Sequence, residues 1–173
     1  GVKNAVIPGF YGVLPCGAVK TFSRGGSDIS GAIIARAVNA DIYENWTDVS
    51  GFLVCDPRIV PEAKVIKQIT YKEVRELSYM GASVLHAEAI TPVMKRRIPI
   101  NIKNTFKPED KGTMIVPNEQ YVSDDTIITG IAGKKNFTVL LIEKSMMNAE
   151  VGFIRKVLSV VEHYDLCVEH LPS

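Results

Sequence analysis

The feature that most constrains the fold is an alternation of strand-like and helix-like segments that continues to residue 116. Strand-like runs lie at residues 5–7, 41–46, 98–102 and 113–116, and segments with apolar residues at helical spacing lie at 28–38, 70–81 and 84–94. Strands that alternate with helices form a largely parallel sheet with both faces covered. The sequence therefore predicts an α/β fold with a mostly parallel sheet and helices on both faces.

These helical segments carry start and stop signals. Ser27 is placed to cap the first helix. Thr70 and Glu73 form the pattern of a capping box, in which each side chain satisfies a backbone N–H at the start of the second helix. Gly81 suits the end of that helix. Pro92 predicts a break or kink in the third helix.

A polar stretch at residues 117–125 separates a second region from the first. Beyond it the pattern predicts a β-α-β unit with a strand at 136–142, a helix at 148–163 and a strand at 166–170. We therefore predict two domains, 1–123 and 124–173. Strand-like runs lie close to both ends of the chain, and from this we expect a piece of a longer protein.

The composition argues against several classes of function. A formal net charge of +1 gives no general attraction to nucleic acid or anionic lipid. Cys16, Cys55 and Cys167 are odd in number, far apart and without metal-ligand spacing to the histidines, so we expect no disulfide framework and no metal site. No apolar run approaches the roughly 20 residues that span a bilayer. These features predict a cytoplasmic protein that does not bind a membrane.

The first candidate site is the segment that leads into the first helix and ends at Asp28. Gly25 and Gly26 let the backbone approach a ligand closely, and the N–H groups of a helix start favour an anion. Arg24 adds a planar, permanently charged fork that suits a carboxylate or a phosphate. The alternative is a tight turn with a Ser/Asp cap and no ligand.

Two later segments hold further candidates. The loop after the second predicted strand begins with Thr47 and Asp48 and continues to Arg58, at a place where α/β sheets position ligand loops. The first two side chains suit the polar edge of a nucleotide and the arginine suits its phosphates; the alternative is a loop with an Asx turn. Residues 81–86 by themselves indicate only a helix end followed by a buried Val84.

In this order and spacing, the segments resemble the aspartokinases over nearly the whole chain. The matching motifs are Gly9-Phe10, Arg24-Gly25-Gly26-Ser27-Asp28, Thr47-Asp48-Val49 with Asp56-Pro57-Arg58, and Gly81-Ala82 with Val84-Leu85-His86. The second region resembles the amino-acid-sensing ACT module of that family through Ile128-Thr129-Gly130-Ile131-Ala132 and Met147-Asn148 with Gly152-Phe153.

The resemblance implies a kinase that moves the γ-phosphate of ATP to the side-chain carboxylate of aspartate, the first step toward lysine, methionine and threonine. Such a transfer depends mainly on positioning and charge neutralisation. The implied catalytic residues are Arg24 and Asp28, and Mg²⁺ would bridge the phosphates of ATP, with no tightly bound cofactor. The implied aspartate subsite is Phe10, Arg24, Gly25, Gly26 and Ser27. The implied nucleotide subsite is Thr47, Asp48, Leu53, Arg58, Ser83 and Val84.

Two positions depart from the family pattern. Leu53 stands where many members have Tyr, and Ser83 stands where many have Lys. Serine cannot supply the charge of a lysine to ATP phosphates, so a contact at Ser83 and Val84 would depend on the backbone. A first lobe with a Lys-Phe-Gly-Gly phosphate-binding motif has no counterpart in these residues, and we therefore expect this chain alone to be inactive.

For the second region, the resemblance implies an effector site for lysine or threonine. Met147, Asn148 and Gly152 lie at a predicted helix start, where N–H groups favour a carboxylate. Glu169 would hold the effector's amino group; the alternative is that Glu169 is an exposed strand residue only. ACT modules usually pair across chains, which implies a homo-oligomer.

Two other functions stay open. One is a kinase of a different amino acid, such as glutamate or acetylglutamate, although those relatives are not expected to continue into an ACT module. The other is a non-catalytic, amino-acid-binding regulatory subunit, which the presence of the full substrate loop disfavours.

Overall fold

A computed structural model describes residues 4–79, 84–85, 87–123, 127–133 and 135–172. The chain divides into two compact units, Gly1–Lys135 and Asn136–Ser173. The two predicted domains, 1–123 and 124–173, stay a prediction.

The first unit contains a four-stranded sheet and a separate hairpin. In chain order its elements are β1 (Tyr11–Val13), β2 (Val19–Thr21), α1 (Gly26–Val38), β3 (Tyr43–Thr47), β4 (Gln68–Thr70), α2 (Tyr71–Tyr79), α3 (Ala87–Met94), β5 (Ile100–Asn104), β6 (Thr113–Val116) and a 3₁₀ turn at Asn118–Gln120. The sheet order is β3-β5-β6-β4, with β3–β5 and β4–β6 parallel and β5–β6 antiparallel. The predicted α/β class is confirmed, with a mixed sheet that is parallel in two of its pairings.

The core of this unit lies between the helices and the sheet face to which Ile100 and Ile102 point. Both side chains are fully buried, as is Ala32 of α1. Helix α3 packs against both α1 and α2, so these three helices belong to one layer. On the opposite face Trp46 is 47% exposed, with Lys103 Nζ 5.5 Å from its ring centroid. The opposite face is therefore partly open at this pair.

Three local expectations for this unit are corrected. Residues 5–7 form no strand, and Val6 is fully exposed, because no neighbouring strand pairs with this run in the described part of the chain. Helix α1 begins at Gly26 with Gly25 as its N-cap at φ 60°, and this cap has no side-chain hydrogen bond. Ser27 is therefore inside the helix and not its cap. Pro92 lies inside α3, which begins at residue 87 and not at 84.

The predicted capping box at the start of α2 is confirmed. The Thr70 backbone N–H donates to Glu73 Oε2 at 2.9 Å, and the Glu73 N–H donates to Thr70 Oγ1 at 3.3 Å. Thr129 Oγ1 donates to the other carboxylate oxygen of Glu73 at 2.6 Å, and Ile131 N donates to the Val54 carbonyl at 2.7 Å. Residues 129 and 131, which follow the polar stretch, are thus bonded to other parts of the first unit. The predicted helix end at Gly81 lies outside the described residues.

The second unit contains α4 (Phe153–His163) and a 3₁₀ turn at Met147–Ala149. The predicted strands at 136–142 and 166–170 are wrong for the described residues, which form neither. A strand needs a paired neighbour for its N–H and C=O groups, and Val139 and Leu141 are both more than four-fifths exposed. The predicted helix start at 148 is also wrong, since Gly152 at φ 76° precedes the first helical residue.

No helix in the described residues is both long enough and apolar enough to cross a membrane.

Candidate substrate and nucleotide site

The start of α1 is packed closely under the loop that carries Phe10. A Cβ atom at Gly26 would lie 2.9 Å from both Phe10 Cα and Phe22 Cβ, so only glycine allows this approach. The Phe10 backbone N–H donates to Ser30 Oγ at 3.0 Å, and its carbonyl accepts from Phe22 N at 3.1 Å. The Phe10 side chain is 58% exposed. The structure therefore fixes the backbone of Phe10 over the helix start and leaves its ring accessible.

The first turn of α1 and the two residues before it hold the other predicted substrate residues. Arg24 and Ser27 are exposed, and Asp28 is half-buried. The N–H groups of the first helical turn have no partner within the helix and attract negative charge. An exposed guanidinium next to this turn suits a carboxylate ligand. Phe10, Gly26 and Asp28 thus lie together at one helix end.

Two residues that the sequence analysis did not select hold Asp28. Asn45 Nδ2 donates to Asp28 Oδ1 at 3.0 Å and to the Tyr43 hydroxyl at 3.1 Å. That hydroxyl donates to the Asp28 backbone carbonyl at 3.1 Å. Burial raises the pKa of Tyr43; the hydrogen bond from Asn45 opposes this and the charge of Asp28 adds to it. The sequence signal for this contact is a polar residue, Asn45, at a strand position whose side chain is expected to point toward the core.

The nucleotide candidates begin at the carboxyl end of β3. Thr47 Oγ1 donates to Asp48 Oδ1 at 3.2 Å, and the Thr47 carbonyl accepts from Thr105 N at 2.8 Å, which joins the ends of β3 and β5. The contact between Asn45 and Asp28 places the α1 start beside the middle of β3, two residues before Thr47. The carboxyl ends of parallel strands and a helix start are the places where α/β folds bind ligands.

The loop that follows holds Leu53 and Arg58 in defined contacts. Leu53 forms an isolated antiparallel bridge with Val65. Arg58 Nη2 lies 2.6 Å from Asp56 Oδ2, and Nε of the same guanidinium donates to Oδ1 at 3.0 Å. Hydrogen bonds from Arg58 lower the pKa of Asp56 to about 2, and the partner carboxylate raises the pKa of the arginine. In this arrangement Arg58 binds a carboxylate of its own loop.

The third predicted segment is covered only in part. Ser83 lies outside the described residues. Val84 is partly buried and packs against the hydrophobic core, and Leu85 is 2% exposed. The side chain of Val84 therefore contributes to the core.

A polar cluster that the sequence analysis missed fixes the loop after β3. Ser50 Oγ donates to Asp110 Oδ2 at 2.6 Å, and Asn104 Nδ2 donates to Ser50 Oγ at 2.9 Å. Asn104 is 6% exposed at the end of β5. Because Ser50 and Asp110 are 60 residues apart in sequence, no local pattern predicts their contact.

The predicted effector residues lie in the second unit. Met147 is in the 3₁₀ turn, Gly152 is the N-cap of α4, and Glu169 is exposed. The side chain of Asn148 lies outside what the structure describes. Glu150, between these positions, accepts from Lys156 Nζ at 2.6 Å. The described residues contain no group of three or more His, Cys, Asp or Glu side chains that could hold a metal ion.

Comparison with known proteins identifies related sequences. The chain matches the amino acid kinase family over residues 2–104. It is similar to aspartokinase 3 of Bacillus subtilis, with 44% identity over 168 residues that cover 97% of this chain and 37% of that protein. The chain thus spans about a third of the length of this curated relative.

Solved structures give the same result. The chain is similar to the aspartate kinase of Clostridium acetobutylicum, with a TM-score of 0.89 and 63% identity over 96% of this chain and 38% of that one. It is also similar to Escherichia coli aspartokinase III. The complex of that enzyme with aspartate and ADP gives a TM-score of 0.71 at 28% identity, over 95% of this chain and 36% of that one. The complex with lysine and aspartate gives 0.74 at 30% identity, over the same shares of the two chains.

Proposed function

The chain belongs to the amino acid kinase family, and from this premise we propose that the complete protein is an aspartate kinase. It transfers the γ-phosphoryl group of ATP to the side-chain carboxylate of aspartate and forms 4-phospho-L-aspartate, the first step toward lysine, methionine and threonine. The observation that carries the proposal is the start of α1, where Asp28 is bonded to Asn45 of β3, two residues before the carboxyl end of that strand. The similarity to aspartokinases along nearly the whole chain supports it.

The aspartate subsite is the surface at the start of α1. The guanidinium of Arg24 binds a carboxylate of the substrate, and the N–H groups at Gly25, Gly26 and Ser27 add partial positive charge. The exposed ring of Phe10 covers one side of this surface. The Escherichia coli relative binds aspartate together with ADP, which supports an amino-acid acceptor next to a nucleotide.

The nucleotide subsite is the loop from Thr47 to Arg58, with Ser83 and Val84 as further candidates. Thr47 and Asp48 offer hydrogen-bonding groups to the nucleotide, and Leu53 offers an apolar contact. Arg58 exchanges Asp56 for a phosphate group of ATP. Its side chain is 88% exposed, so solvent weakens the existing ion pair and the exchange of one anion for another is cheap.

Asp28 organises the transferring phosphate, and Arg24 neutralises negative charge at the acceptor. Mg²⁺ would enter with ATP and be held mainly by its phosphates. When bound, the ion neutralises charge on the phosphates.

The second region, proposed as residues 124–173, is the start of an ACT module. An amino-acid effector, lysine or threonine, binds at Met147, Asn148 and Gly152, with Glu169 on its amino group. The lysine complex of the Escherichia coli enzyme supports lysine as one effector. The protein is a cytoplasmic homo-oligomer.

The test is aspartate-dependent hydroxamate formation by the complete protein with ATP and Mg²⁺. Arg24→Ala should lower kcat/KM for aspartate by about 2–4 kcal/mol, roughly 30- to 1,000-fold, because a charge-assisted pair is lost. Arg36→Ala is the matched control, since Arg36 is an exposed residue in the last turn of the same helix. The 173-residue chain alone is expected to give no product.

Two outcomes would contradict this function. Turnover with glutamate or acetylglutamate but not with aspartate would indicate a kinase of another amino acid. Amino-acid binding without any turnover by the complete protein would indicate a regulatory subunit.

A further inference from the structure

Asn45 is a buried amide at the centre of β3. Asn45 is only 7% exposed. Its strand pairs residue by residue with β5, and Asn45 lies opposite Ile102 of that strand. Inward positions of such strands normally carry apolar side chains, because a buried amide must find hydrogen-bond partners to offset its lost hydration. The amide of Asn45 finds its partners at the Asp28 carboxylate and the Tyr43 hydroxyl.

A second feature of the sequence serves the same contact. Gly31 lies in the interior of α1, where glycine disfavours the helix. A Cβ atom there would lie 2.7 Å from the Tyr43 hydroxyl oxygen and 2.9 Å from two carbons of its ring. Only glycine therefore admits the Tyr43 ring against the helix. From this position the hydroxyl accepts from Asn45 and donates to the Asp28 carbonyl.

We propose that Asn45 is a positioning residue of the kinase reaction, which fixes the orientation of the Asp28 carboxylate through a hydrogen bond to Oδ1 and is itself braced by Tyr43 seated over Gly31. This inference rests on the proposed function. With Oδ1 engaged, rotation of the carboxylate about its Cβ–Cγ bond is restricted, and Oδ2 is held in one direction. A neutral amide donor suits this role because it carries no ionisable proton that could transfer to the carboxylate.

The charged and titratable groups around this amide are few among the described contacts. Asp28 faces it from α1 and Tyr43 faces it along β3. Glu44 and Trp46 are the neighbours of Asn45 in the strand and therefore point to the opposite face. Glu44 is exposed, which makes Glu44→Gln a matched control one residue away.

The experiment measures kcat and KM of the complete protein for aspartate and for ATP. Asn45→Leu should lower kcat about 10- to 100-fold, because a displaced catalytic group costs rate. Both KM values should stay within about threefold, since Asn45 does not reach the exposed residues Arg24 and Asp48 that hold the substrates. Glu44→Gln should leave all constants unchanged.

Asn45→Asp separates positioning from a general structural role. The introduced carboxyl group can donate the same hydrogen bond to Asp28 when it is protonated, whereas its ionised form repels Asp28, because two carboxylates at this distance do not both ionise readily. The ratio of kcat in Asn45→Asp to kcat in the unchanged protein should therefore fall as the pH rises. A purely structural role would give a ratio that does not depend on pH.

The outcomes distinguish this inference from the proposed function. An Asn45→Leu protein with unchanged kcat, or an Asn45→Asp protein whose pH profile parallels that of the unchanged protein, would overturn the positioning role alone. Absence of aspartate-dependent turnover in the unchanged protein would overturn the proposed function and this inference with it.

Discussion

Thr113→Val tests how the nucleotide loop is attached to the sheet. Thr113 is fully buried at the start of β6, and its hydroxyl makes two hydrogen bonds. It donates to the Ile66 carbonyl at 2.6 Å and accepts from the Phe52 backbone N–H at 2.9 Å. Valine has nearly the same shape as threonine but has no hydroxyl. The substitution therefore removes both bonds with little change in packing volume.

The expected loss follows from the two groups left behind. A buried donor or acceptor without a partner costs about 1–3 kcal/mol, so two of them together should lower the free energy of unfolding by about 2–6 kcal/mol. The total stability of a domain is about 5–15 kcal/mol. With a slope of about 2 kcal/mol per molar urea, the unfolding midpoint should fall by about 1–3 M.

The assay is urea unfolding followed by fluorescence. The chain contains one tryptophan, Trp46, and it lies in β3 of the same unit. Thr113→Ser is the control because it keeps the hydroxyl and loses one methyl group, at a cost of about 1 kcal/mol. A valine variant that is as stable as the serine variant would refute the reasoning, since the two unpaired groups would then cost no more than one methyl group.

Three further predictions concern stability. Gly112→Ala should lower the melting temperature strongly, because φ is 75° and the new Cβ would lie 1.8 Å from the Ile102 carbonyl oxygen; Gly12→Ala, with nothing within 4 Å, is the control. Tyr71→Phe should cost about 1–3 kcal/mol in urea unfolding, because the buried hydroxyl donates to a backbone carbonyl; burial raises the pKa of this tyrosine to about 12. Burial alone would raise the pKa of Glu73, but hydrogen bonds from two threonines lower it below its ordinary value. The contribution of the Glu73 carboxylate to the free energy of unfolding should be fully present above the pKa of this group in the unfolded state. It should be lost as the pH falls through the lower pKa of the folded state. The unfolding midpoint of Glu73→Gln should therefore fall less between pH 6 and pH 3 than the midpoint of the unchanged protein.

The elements that the sequence predicts best are those that depend on residues close together in the chain. The capping box at Thr70 and Glu73 depends on two side chains three residues apart, and β6 has the predicted bounds because its apolar run is short and compact. The start of α1 was misplaced by two residues, because Ser27 and Gly25 both give start signals. The backbone at φ 60°, which only the structure reveals, selects the glycine.

The failures have a different cause. The run at 136–142 has high strand propensity, yet a strand forms only when another strand satisfies its backbone, and propensity does not supply that partner. The contact between Asn45 and Asp28 spans 17 residues, and that between Ser50 and Asp110 spans 60. The sequence therefore predicts which segment binds a ligand, whereas the side chains that orient it become visible only after folding.

The carboxylate of Glu73 has a consequence for how this unit opens. Its two oxygens bind different segments: one caps the start of α2 and the other holds Thr129. Opening of residues 127–131 therefore removes one bond from the group that caps the helix, and fraying of the helix removes the anchor of that segment. We therefore expect the two openings to be coupled. In hydrogen exchange, the backbone amides of Thr70 and Ile131 should accordingly lose their protection together.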